Sequence, residues 1–296
     1  MIRQLFNRVV AVSGYEIRRR HGSDIHDLRI PGYSPTPSEG AYLGESSRYI
    51  VDVPAEMVGR TPLMRLWVAI LQDYVAQGED AARQRLQAYF DTYEPKSVAD
   101  LLQIKPSQPW HHGNPLSYVY PWDAEGPEEK VAFRVELMRK EAKEHGFHMW
   151  KESDGWKGFG PVSSAVVDME LRRLINTCES IRTHGFDERR GQVQGRIYGW
   201  GPSEMVLPRR GWHRVAVCLA LDMEKIPMLF DRRHAIIRHE DAARWPNVVN
   251  GNFTVNDAYS IFERRFLMTR SPSCKVTLGI SFPGRSNSLF GQSLTS

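Results

Sequence analysis

The chain has 296 residues, 41% of them hydrophobic, and a formal net charge of +4. This content supports a buried core and argues against global disorder, and the length suits one large domain or two small ones. No apolar run approaches the ~18 residues that span a bilayer, and the apolar stretch after the first eight residues is too short for a secretory signal.

In chain order, residues 1–20 form a basic amphipathic segment. Arg3, Arg8, Arg18, Arg19 and Arg20 interleave with Leu5, Phe6, Val9, Val10, Val12 and Ile17. Such a segment either lies on an anionic membrane surface or packs as an ordinary surface helix. Residues 21–48, rich in Pro, Gly and Ser, read as loop. Residues 49–53 read as a strand. Residues 62–93 read as helix: Leu63, Leu66, Trp67, Ile70, Leu71 and Tyr74 form one apolar stripe, and Gly78 divides it from a second helix carrying Ala82, Leu86, Tyr89 and Phe90. A short helix follows at 98–104. Residues 105–127 hold five prolines and two tryptophans and read as a long loop. A charged helix is expected at 128–145, with Val131, Phe133, Val135, Leu137 and Met138 facing inward. Residues 147–161 read as loop again.

Residues 169–186 read as a helix stopped by Gly185, with Leu171, Leu174, Ile175, Cys178 and Ile181 at three- and four-residue steps. Strands are expected at 191–199 and 204–207, a helix at 212–222, and a further strand at 226–230 beside the first two. Between the second strand and that helix lies Arg209-Arg210-Gly211-Trp212-His213-Arg214. A glycine turning a strand into a helix leaves free N–H groups at a positive helix end, a natural phosphate cradle. Residues 172–214 carry nine arginines and no lysine against four acids, and arginine's planar fork suits phosphate. Cys178, Cys218 and Cys274 are odd in number and far apart, which argues against a disulfide framework or a four-cysteine zinc site and makes a reducing cytoplasm the expectation. The histidines show no convincing metal-ligand spacing.

The order of a helix ending Glu-Ser-Ile-Arg-Thr-His-Gly, a strand, a Gly-Trp-His-Arg helix start and an Ile226-Pro227 strand resembles the ParB/sulfiredoxin superfamily over roughly residues 160–266. Tyr93-Glu94-Pro95-Lys96, Tyr120-Pro121-Trp122, Gly158-Phe159-Gly160-Pro161 and Arg244-Trp245-Pro246-Asn247 resemble a narrower bacterial group often encoded near glycosyltransferase and surface-polysaccharide genes. The resemblance implies an α/β fold, a small mixed sheet with flanking helices, preceded by a mainly helical region. It divides the chain into residues 1–150, a nucleotide-binding domain at 151–270, and a flexible basic Ser/Gly tail at 271–296.

It also implies nucleoside-triphosphate binding with hydrolysis or phosphoryl transfer, using ATP or CTP with Mg²⁺ and an unknown small-molecule or glycan-related acceptor. By the same resemblance, Gly211, His213 and Arg214 hold the phosphates, with Arg210 beside them, and Arg173, Asn176 and Ser180 contact the nucleotide. Departures narrow this reading. Trp212 stands where sulfiredoxins have their catalytic cysteine, which excludes that activity. Arg210 stands where related free-serine kinases carry an aspartate, so a carboxylate must come from elsewhere: Glu170 first, with Asp168, Glu240 and Asp241 as substitutes. The stretch 238–241 also reads simply as a helix start with stabilising acids. The catalytic candidates are therefore His213 and Glu170. No recognition helix fits after Phe266, which argues against sequence-specific DNA binding. The alternative is a non-catalytic nucleotide sensor or interaction protein, membrane-peripheral through residues 1–20.

Overall fold

Strands that bury both faces must carry apolar residues on both, and the central strands here do. In the computed structural model, which describes residues 25–270 apart from 31–32, 44–45, 148–149 and 234, six strands form one mixed sheet. They are β1 (Ile25–Asp27), β2 (Arg48–Pro54), β3 (Gln194–Trp200), β4 (Ser203–Arg210), β5 (Lys225–Asp231) and β6 (Ile236–Arg238). The order is β1-β2-β5-β3-β4, with β6 pairing β3. β3 and β4 form an antiparallel hairpin, and β2 runs antiparallel to β5 along seven residue pairs from Arg48–Asp231 to Pro54–Lys225. The basic segment 1–20 and the tail 271–296 lie outside the described residues.

Side chains alternate across the sheet. Ile197 and Val206 point to one core, Tyr198, Met205 and Leu207 to another. The first core is covered by α2 (Pro62–Gln77), α3 (Glu79–Thr92), α6 (Ser164–His184) and α7 (Trp212–Ala220). The opposite core is closed by α9 (Val255–Arg270) with Trp122 and Trp245. A third cluster joins α5 (Pro127–Glu144) to Trp150, Trp156, Phe159 and the start of α6. The fold is α/β. Remaining helices are α1 (Pro37–Tyr42), α4 (Val98–Leu102) and the four-residue α8 (Pro246–Val249). Among the described residues no helix is long and apolar enough to cross a membrane.

Local chemistry sets the helix ends. Thr61 caps α2 by accepting from the Met64 N–H, and Gly78, at φ +92°, ends α2 and starts α3. Gly185, at φ +73°, stops α6.

Four expectations need correction. Residues 21–48 are not all loop, since they contain β1 and α1. The inner face of α5 is also different. Phe133 is 58% exposed, while Arg134 is buried and holds its guanidinium 3.6 Å from the Tyr118 ring centre. The strand at 225–231 lies beside β3 and β2 but not beside β4. Finally, a division at residue 150 does not separate two cores. β2 completes the sheet by pairing β5, and Tyr49 stacks on Phe230 with ring centres 5.3 Å apart.

Candidate functional site

Gly211 sits where the sequence places it, between β4 and α7. Its φ of +79° is left-handed, and an added Cβ would approach the Val193 Cγ2 to 2.9 Å. Glycine has no side chain with which to cap the helix, and the first intrahelical bond is Val215 N–H to the Gly211 carbonyl. The amides of Trp212, His213 and Arg214 therefore have no partner within α7.

This helix start opens onto a cleft of about 1720 Å³. The cleft is lined by fourteen Lys and Arg side chains against six Asp and Glu, so its field favours an anionic ligand. Arg173, Asn176, Ser180, Arg210, Gly211, His213 and Arg214 all line it, which brings together every expected phosphate- and nucleotide-contacting residue. Arg214 lies over the Phe186 ring at 4.0 Å and donates from Nη2 to the Asp187 carbonyl at 2.8 Å. Its Nη1 is buried without a hydrogen-bond partner among the described residues. Burial lowers its pKa, and Asp187 and Glu188 offset only part of that cost. Ser180 accepts from Arg190 and thereby fixes a further arginine at the rim.

Glu170 departs from its expected role. It is fully buried and absent from the cleft lining. Its Oε1 lies 2.6 Å from Nε2 of His213, and its Oε2 accepts from Arg173 at 3.0 Å. A carboxylate so engaged is not placed to hold a metal or to abstract a proton from a ligand in the cleft; it acts on His213. Burial alone would raise its pKa. The charge and hydrogen bond of His213 outweigh that, with help from Arg173 and Lys157, and hold the carboxyl far below its ordinary value.

The arrangement continues outward. Arg173 also donates to Glu141 at 3.0 Å and 3.3 Å, and Lys157 pairs with the same Glu141. The result is a chain His213–Glu170–Arg173–Glu141–Lys157 spanning α7, α6, α5 and the loop before α6. Its two carboxylates and two fixed cations balance when the imidazole is neutral. The Trp67 ring flanks His213 with centres 4.7 Å apart. Trp67 itself lines the cleft, and its indole N–H is buried without a partner among the described residues.

The substitutes for Glu170 fare differently. Asp168 pairs with Arg83 and does not line the cleft. Glu240 is not in the lining either, whereas Asp241 is, with Arg244 at 3.7 Å. Both sit in a 3-10 turn, His239–Arg244, as first-turn acids. Of the six lining carboxylates, Asp123, Glu125, Glu141, Asp187 and Asp241 each have a Lys or Arg within ion-pair distance. Among the described residues no group of three or more His, Cys, Asp or Glu is placed to hold a metal ion. Cys178 and Cys218 are free, buried thiols, and burial pushes Cys218 up to about 12.

Glu141, Lys157 and the packing of Trp67 on His213 were not anticipated. The only sequence signal was the place of Trp67 in the apolar stripe of α2. No known protein family matches the chain, and neither curated proteins nor solved structures give a match.

Proposed function

We propose that the cleft binds the phosphate chain of a nucleoside triphosphate at the Gly211 turn, and that His213 serves hydrolysis or transfer of its terminal phosphoryl group. The observation that carries this is a convergence in one place. The uncapped start of α7, Arg210, the half-satisfied guanidinium of Arg214 and an imidazole locked by a buried carboxylate all meet there. Helix-start amides and arginine forks are the groups that neutralise phosphate oxygens. An imidazole in that field is suited to phosphoryl chemistry, where positioning and charge stabilisation do most of the work. The ParB/sulfiredoxin resemblance points the same way, with ATP or CTP as the nucleotide. Its narrower group suggests an acceptor from surface-polysaccharide metabolism.

The residues do not fit a Mg²⁺ held by the protein. Glu170 is spent on His213 and Arg173, and the cleft's other carboxylates, Glu136 apart, have basic partners. The same engagement of Glu170 favours a second reading, nucleotide binding without turnover, in which the protein is a sensor.

A screen of ATP, CTP, GTP and UTP, each with and without Mg²⁺, tests both readings by thermal shift and phosphate release. A ligand at a hundred times its Kd stabilises the fold by about 2.7 kcal/mol. Stabilisation with phosphate release supports the enzyme, stabilisation alone the sensor, and no stabilisation by any nucleotide overturns the proposal. In the enzyme, Glu170→Gln lowers turnover by about 10²-fold, with nucleotide binding largely kept.

A further inference from the structure

We propose that Nδ1 of His213 is itself the phosphoryl acceptor, so that the protein passes through a covalent phosphohistidine. This rests on the nucleotide reading above and deepens it.

The geometry selects the nitrogen. Nε2 is occupied by the 2.6 Å bond to Glu170, while Nδ1 has no hydrogen bond among the described residues. Glu170 is fully buried against Nε2, so the Nε2 hydrogen points to it, and in the neutral imidazole the lone pair then sits on Nδ1. Trp67 flanks the ring at 4.7 Å and limits its rotation, and His213 is only 13% exposed, which keeps bulk water from most of it. Of the six lining carboxylates, five are held by Lys or Arg, which leaves Glu136 alone among the described residues to activate an acceptor directly. A nucleophile already in place removes that need for the first half of the reaction.

The step balances. The Nδ1 lone pair forms the N–P bond to the terminal phosphorus. The bond from that phosphorus to the bridging oxygen breaks, and its electron pair leaves with the nucleoside diphosphate. The ring gains positive charge as the N–P bond forms, and the Glu170 carboxylate balances it through Nε2–H. The transferred group's oxygens face the α7 amides and the Arg210 and Arg214 side chains. Water or an acceptor hydroxyl then takes the phosphoryl group, its proton leaves to solvent, and the imidazole is restored. In this scheme His213 is the catalytic residue and Glu170 a positioning residue.

The experiment incubates the full chain with γ-³²P-labelled ATP and CTP and quenches in alkaline detergent. A parallel sample receives phosphoramidate, which donates a phosphoryl group without a nucleotide. Calorimetry with the β,γ-imido analogue reports nucleotide binding separately. The expected result is label that survives alkali and is lost in acid, absent from His213→Gln and His213→Asn. On the wild-type protein, ³¹P NMR should assign the phosphorus to Nδ1, a readout that needs no variant to fold. In Glu170→Gln the label should redistribute toward Nε2, which loss of packing alone would not cause. Analogue binding with no label from either donor, acid-stable label, or label retained in both His213 variants overturns the phosphohistidine and leaves the nucleotide site standing. Failure of the analogue to bind overturns the nucleotide reading, and with it the route proposed here.

Discussion

Among the described residues, two histidine–glutamate pairs of similar length sit in very different settings. His213 and Glu170 meet at 2.6 Å, with the carboxylate fully buried and backed by Arg173. His239 and Glu263 meet at 2.9 Å on the other side of the sheet, with 42% of the glutamate side chain exposed. His239 lies among aromatic rings, stacked on Trp200 at 5.1 Å, and does not line the cleft. Sequence separation and residue type do not distinguish the two pairs. Burial of the carboxylate does: a dry partner holds its charge and orients the ring, whereas a wet one is screened and exchangeable.

The sharpest way to break this comparison is to remove each carboxylate in turn. Glu170→Ala strips His213 of its buried partner and leaves Arg173 to Glu141 alone, and is expected to cost about 3 kcal/mol in urea unfolding, the low end for breaking a buried pair. Equal costs for Glu170→Ala and Glu263→Ala would erase the distinction. Acid titration sharpens it further. Glu170 has a folded-state pKa depressed below the ordinary 4.5, so its contribution is fully present above pH 4.5 and is lost as pH falls below it. The acid limb of the stability profile should be shallower in Glu170→Gln than in wild type.

Next in size is Arg214→Ala, expected to weaken nucleoside-triphosphate binding by about 1.5–3 kcal/mol by calorimetry while the fold persists. Unchanged affinity would remove Arg214 from the site. Gly211→Ala should destabilise by about 1–2 kcal/mol, because alanine at φ +79° is strained and its Cβ would press on Val193. A thermal melt matching wild type would show that the turn relaxes freely. The smallest effect is Glu263→Gln, less than about 1 kcal/mol, as for other partly exposed ion pairs.

Much of the fold was legible because its signals are local. The stripe of α2, the break at Gly78 and the Gly211 turn each lie within one or two helical turns of sequence, and the structure places all three as read. The elements that escaped are short or depend on distant partners. β1 has three residues and exists through parallel pairing with β2. α1 did leave a signature, Thr36-Pro37-Ser38-Glu39, whose threonine and glutamate form a reciprocal capping box. At the site, residue spacing put Glu170 and Arg173 on one face of α6, and they do touch. Spacing could not show that His213 would turn Glu170 inward. Nor could it show that Glu141 and Lys157, from α5 and a loop, would extend the ion pair into a chain.

The antiparallel pairing of β2 with β5 has a consequence in time. β2 ends at Pro54, and β5 does not begin until Lys225. At synthesis rates of about 5–20 residues per second, β2 waits on the order of ten seconds or more for its partner. During that interval an apolar strand edge and the inner faces of α2 and α3 have no sheet to cover them. The nascent chain therefore depends on chaperone shielding, or on those two helices closing over each other, until the β3–β4 hairpin and β5 emerge.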